Sequence, residues 1–69
     1  MQGKTHYGVV KFYKEEEGFG FVISEEGEEI FVHITGLRPG VRLEKGEGVS
    51  FEIIRGKKGI NAVNVRPLC

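Results

Sequence analysis

The run Gly18-Phe19-Gly20-Phe21-Val22, followed after an acidic stretch by Ile30-Phe31-Val32-His33, carries the reading of this chain. Side chains along an extended strand point alternately to opposite faces. Phe19 and Phe21 therefore share one face, opposite Gly20 and Val22. Phe31 and His33 likewise share a face, opposite Ile30 and Val32. Between the runs, Glu25-Glu26-Gly27-Glu28 has the composition of a tight hairpin tip. The two strands are then antiparallel neighbours whose faces coincide. One combined face holds Phe19, Phe21, Phe31 and His33, and the other holds Val22, Ile30 and Val32. The aliphatic side chains have no polar handle, and full burial stabilises each by roughly 1.5–3 kcal/mol. Aromatic side chains are also buried more often than not. A small barrel has a single interior, so only one of the faces can be inside. The pattern alone leaves open which one.

Outward from that pair the same punctuation continues. Eleven of 69 residues are glycine, about twice the usual share, and they separate short runs rich in Val, Ile, Phe and Tyr. Five strands are expected, at residues 7–14, 18–24, 29–33, 48–55 and 60–66. Arg55-Gly56-Lys57-Lys58-Gly59 reads as a second hairpin tip, and Pro39-Gly40 as a turn in the one long connection. No segment of helical length shows sustained helical periodicity. Five short strands with one long connection predict an all-β barrel, because closure removes exposed sheet edges. At 69 residues the chain is expected to form a single domain, 1–69, with its core in about 7–66. A chain of this size buries only about 60% of its unfolded surface. It can hold one small core, not a deep water-excluded cavity.

Charge narrows the function classes. Ten Lys and Arg balance ten Glu, and there is no Asp. A ligand held by bulk positive charge alone is disfavoured. The charges are nevertheless segregated. Residues 15–37 carry seven Glu and no Lys or Arg, whereas residues 38–69 carry seven basic residues and three Glu. Folding could gather the basic residues on one face. No apolar run approaches the roughly 18 residues of a membrane-spanning helix, and no secretory signal is visible. The only cysteine is Cys69, which rules out an intrachain disulfide framework and a Cys-rich zinc site. A cytoplasmic protein is expected.

Enzyme readings fare poorly. His6 and His33 could in principle form an acid–base pair, but nothing fixes a distance between them. Cys69, at the end of the chain, has no preorganised surroundings to activate a thiolate. The Glu runs lack calcium-loop spacing. Gly18-Phe19-Gly20 lacks both the third glycine and the following helix of a dinucleotide site. No enzyme activity, no metal, no cofactor and no small-molecule substrate are expected.

Nearly the whole chain, from about residue 8 to 65, resembles the cold-shock domain. The resemblance rests on Lys11-Phe12-Tyr13, on the two runs quoted at the outset, on Lys45-Gly46-Glu47-Gly48-Val49-Ser50-Phe51-Glu52 and on Gly59-Ile60-Asn61-Ala62-Val63-Asn64-Val65. It implies a five-stranded antiparallel OB-fold barrel that binds single-stranded RNA and DNA across the second and third strands. Carried over by position, Phe19, Phe21, Phe31 and His33 look like base-stacking rings. Phe12 stands where the family usually has an exposed Trp. Lys11 stands at a basic position near the nucleic acid, and Lys58 and Asn61 border the groove. Lys14, Arg38, Arg42 and Lys57 are further candidates to follow phosphates.

The sequence also departs from the family pattern. Glu17 sits where Lys is usual, Ile34 replaces an aromatic, and Lys14 replaces a common Asn. The connection between Leu37 and Leu43 is about two residues short, with Val41 as the nearest substitute for its usual aromatic. The expected activity is that of a single-strand binder and RNA chaperone, working as a monomer with no membrane partner. The alternative from the same residues is an OB-fold module that uses its ring face on protein, or on the ribosome, with weak nucleic-acid affinity. Exposed aromatics suit protein interfaces as well.

Overall fold

A computed structural model of the chain describes residues 4–56 and 59–68. Lys57, Lys58 and Cys69 lie outside the described residues. Five strands form in the expected places: β1 (His6–Lys14), β2 (Phe19–Ser24), β3 (Glu29–His33), β4 (Gly48–Gly56) and β5 (Gly59–Pro67), with one 3-10 turn (Ile34–Gly36) after β3. They close into a barrel in the order β1-β2-β3-β5-β4. No described helix is long and apolar enough to cross a membrane.

The expectation of antiparallel pairing holds at four seams, and the β3–β5 seam is parallel, with Phe31 opposite Asn61 and Val32 opposite Ala62. Parity explains this. Each hairpin reverses direction, so β1, β3 and β5 run one way and β2 and β4 the other. An odd number of such strands cannot close into a ring without one seam between strands of like direction. That seam is short, and the long connection from β3 to β4 makes it possible.

The aliphatic face is the inside. Val10, Val22, Ile30, Val32, Leu43, Val49, Phe51, Ala62 and Val65 form the core, each at most 7% exposed. Phe51 is the aromatic member, and His6 stacks on it with ring centroids 6.0 Å apart. Ser24 is buried, and its hydroxyl accepts from the backbone N–H groups of Glu26 and Glu28, both at 3.2 Å. The acidic tip between β2 and β3 is thus tied to the barrel by an oxygen that would otherwise be unpartnered.

One irregularity positions the site. Along β1, Val10 lies opposite Val22, but Phe12 lies opposite Phe21, so the register shifts by one residue at Lys11. Strict alternation would have sent Phe12 inward with Val10. The β-bulge returns it to the outer face beside Phe21 and turns Tyr13 inward across from Gly20.

Candidate nucleic-acid interface

The outer face of β1–β3 carries a continuous aromatic platform. β2 and β3 pair with Phe19 opposite His33 and Phe21 opposite Phe31, as alternation predicts. Phe12 meets Phe21 edge-to-face with centroids 5.5 Å apart, and Phe21 meets Phe31 in the same way at 5.6 Å. Phe19 and Phe31 are near parallel, 6.0 Å apart at 23°. His33 follows at 6.4 Å from Phe31. These are favourable aromatic separations, and the rings hold one another in place. The ring face, which the alternation pattern left open, is the outer one, though its rings are not fully bare. Phe12, Phe19, Phe21 and Phe31 are half-buried, because each covers part of its neighbour, and only His33 is exposed. Among the described residues, none of these rings is fully buried.

Two positions on β2 and β3 are fixed by their neighbours. His33 caps the 3-10 turn, with its Nδ1 accepting from the Thr35 backbone N–H at 3.2 Å and standing 3.0 Å from the Thr35 hydroxyl. In the neutral ring this assigns the proton to Nε2, leaving one donor on the platform. Gly20 points inward. A Cβ there would strike the Phe12 carbonyl oxygen and stand 2.9 Å from the Tyr13 ring. Gly20 is therefore required first by the close approach of the β1 backbone at Phe12 and Tyr13, and then by the Tyr13 ring beside it.

Asn61 sits beside Phe31 across the parallel seam, at the border of the platform. The basic positions are more constrained than the sequence suggests. Lys11 Nζ is 2.8 Å from Glu29 Oε2. Arg42 grips Glu15 with two hydrogen bonds, Nε to Oε2 at 2.7 Å and Nη2 to Oε1 at 3.0 Å. Those bonds and the guanidinium charge hold the Glu15 carboxyl below its ordinary value. Lys14 lies opposite Phe19 at the platform edge, and among the described residues it makes no ion pair. Glu17 is exposed in the turn just before Gly18.

Sequence reasoning missed the two ion pairs because their partners are 18 and 27 residues apart in the chain. It also missed Tyr13. Burial and the Glu15 charge raise the pKa of that phenol. Its hydroxyl is buried with no hydrogen-bond partner among the described residues. Tyr13 borders a cleft of about 200 Å3 with Ile34, Leu37, Arg38, Pro39 and Val41 beside the platform.

The sequence model of the "'Cold-shock' DNA-binding domain" matches residues 6–68. The chain belongs to the cold-shock domain family. It is 47% identical over 60 residues to "Cold shock protein CspD" of Bacillus subtilis (strain 168), covering 84% of this chain and 91% of that protein. "Cold shock protein CspB" of Bacillus caldolyticus is 45% identical over the same coverage. "Major cold shock protein" of Streptococcus pyogenes serotype M1 is 36% identical over 63 residues, covering 88% of this chain and 94% of that protein. Among solved structures, "drosophila Unr CSD456" superposes with a TM-score of 0.79 at 25% identity. That match covers 97% of this chain, which spans 28% of the larger one. The aromatic platform is thus carried on the barrel of a cold-shock domain, with Glu17 exposed in the turn at its edge.

Proposed function

We propose that this cold-shock domain binds unpaired RNA and DNA by stacking bases on Phe12, Phe19, Phe21, Phe31 and His33, and thereby acts as an RNA chaperone. The observation that carries the reading is the contiguous ring array on the outer face of β1–β3, with neighbours 5.5–6.4 Å apart. Every base has a π-face, so flat rings accept any base, at about 1–3 kcal/mol per stacked base. A paired base already has both faces stacked, which favours single strands over duplex. Asn61 offers a donor and an acceptor to base edges beside Phe31. Lys11 reaches phosphate at the rim only by exchanging its partner Glu29, and Lys58 joins it by family resemblance alone. Each monomer carries a complete platform.

Chaperoning follows from mass action. Every bound segment withdraws an unpaired strand from the folding equilibrium, so hairpins melt without ATP. This work belongs in the cytoplasm, beside the RNA it remodels. Titration with a pyrimidine-rich heptanucleotide, followed by fluorescence or gel shift at two salt concentrations, tests the reading. Saturable binding of the single strand with little binding of the matching duplex is expected. Equal affinity for both would remove ring stacking as the basis of recognition.

A further inference from the structure

The outer surface holds a second apolar area that the platform does not use. On β2 the next outward residue after Phe21 is Ile23, which lies opposite Val9 on β1. Val9 lies opposite Gly48 on β4. Leu68 folds over that glycine, with its Cδ1 3.2 Å from where a Cβ would stand. With Tyr7 these residues line a cleft of about 290 Å3 that has Glu25 at its edge. Tyr7 is 45% exposed, Val9 45% and Leu68 55%. A lone apolar side chain on a surface needs no explanation, but several sharing one cleft mark a contact surface.

The charges around the cleft indicate what covers it. The Glu25 backbone N–H donates to the Tyr7 carbonyl at 2.9 Å. Tyr7 lies opposite Ser50, and Ser50 opposite Arg66. The row across the sheet therefore runs from an acidic end, where Glu26 and Glu28 continue the hairpin tip, to a basic end at Arg66. Lys4 borders the acidic end without balancing it, and Lys11 is engaged by Glu29. A phosphate backbone is repelled from that end. An apolar strip with opposite charges at its two ends is instead complementary to itself under a two-fold rotation. The chain's zero net charge means that no long-range repulsion opposes such pairing.

We propose that a second copy of this chain docks on the cleft formed by Tyr7, Val9, Ile23 and Leu68, about a two-fold axis that sets Glu25 of each copy against Arg66 of the other. None of the platform rings lines this cleft. The patch is small beside the roughly 800 Å² per partner of a standard interface, so the association is weak and reversible.

Sedimentation velocity without nucleic acid tests this apart from the binding reading. The weight-average sedimentation coefficient should rise towards the dimer value between about 10 μM and about 1 mM, the range of a weak complex. The double variant Tyr7→Ser, Leu68→Ser should stay monomeric over that range, with an unchanged circular dichroism spectrum. Glu25→Arg and Arg66→Glu should each weaken association, and combining them should restore it, because the swap rebuilds the contact with its signs reversed. A wild-type chain that stays monomeric throughout would overturn the proposal. So would association indifferent to these variants, or cleft variants that weaken only the binding of long oligonucleotides, since the occupant would then be the strand.

Discussion

The two faces of β1–β3 are built from alternate residues of the same strands, and they differ in one respect: the inner has a layer packed against it. Val22, Ile30 and Val32 are wholly buried, and Val10 is 1% exposed. Phe12, Phe19, Phe21 and Phe31 lie on the other side of the same backbone, pack against one another and stay half-buried. Apolar character by itself therefore did not decide what went inside. Branched aliphatic side chains fill a narrow barrel closely, whereas large rings are wide enough to keep part of their surface dry in a single layer. The inner face supports the fold, and the outer face keeps flat apolar surface available for bases.

The sharpest test of that division exchanges its two sides. Ile30→Ala should cost about 2–5 kcal/mol of stability, as a fully buried large-to-small change does, and this is a serious loss for so small a domain. Its neighbour Phe31→Ala should cost only about 1 kcal/mol of stability, because the ring is half-buried, and should lose about 1–3 kcal/mol of oligonucleotide binding. Thermal melts and titrations on the same samples separate the effects. If Phe31→Ala unfolds the chain, the outer face is structural and the contrast fails.

Tyr13 is the exception that blurs the division, since the bulge turns its ring inward and leaves its hydroxyl without a described partner. Tyr13→Phe should stabilise by about 1 kcal/mol, since it removes an unsatisfied buried group. The raised phenol pKa has a definite sign. Its stabilising contribution is whole below the unfolded value and is lost as pH rises through the folded one. The wild type should therefore lose stability in strong alkali that the Phe variant keeps. A Phe variant that melts lower would mean the hydroxyl has a partner, such as bound water.

A smaller effect should come from the rim. Glu17→Lys should tighten binding and steepen the dependence of log affinity on log salt by about 0.7, the increment for one added phosphate contact on a single strand. An unchanged slope would put Glu17 outside the footprint. Smallest is Glu15, whose depressed pKa makes its contribution present above the unfolded value and lost as pH falls through the folded one. The pair with Arg42 is well exposed, so Glu15→Gln should flatten the acid limb of the stability curve only slightly. An acid limb that steepens would contradict the assignment.

Most of the strand plan was legible because period-two alternation and glycine punctuation are local signals. The pairing of Phe19 with His33 and of Phe21 with Phe31 followed from a short hairpin and needed nothing further. Phe12 could be placed on the platform only by resemblance, because strict alternation along β1 points it inward. Nothing local announces the bulge at Lys11, where the register of β1 against β2 shifts by one residue. The cleft at Tyr7, Val9, Ile23 and Leu68 was equally hidden, since it joins both ends of the chain.

The order of residues along the chain settled which side chains share a face within β2 and β3 and that these two strands are neighbours, because both depend on contacts a few residues apart. Which face became the interior, where β1 shifts register, and which cations are held by carboxylates were settled only in the closed barrel. Those outcomes depend on packing and charge between segments far apart in sequence, and such distances exist only once the last seam, between β3 and β5, has formed.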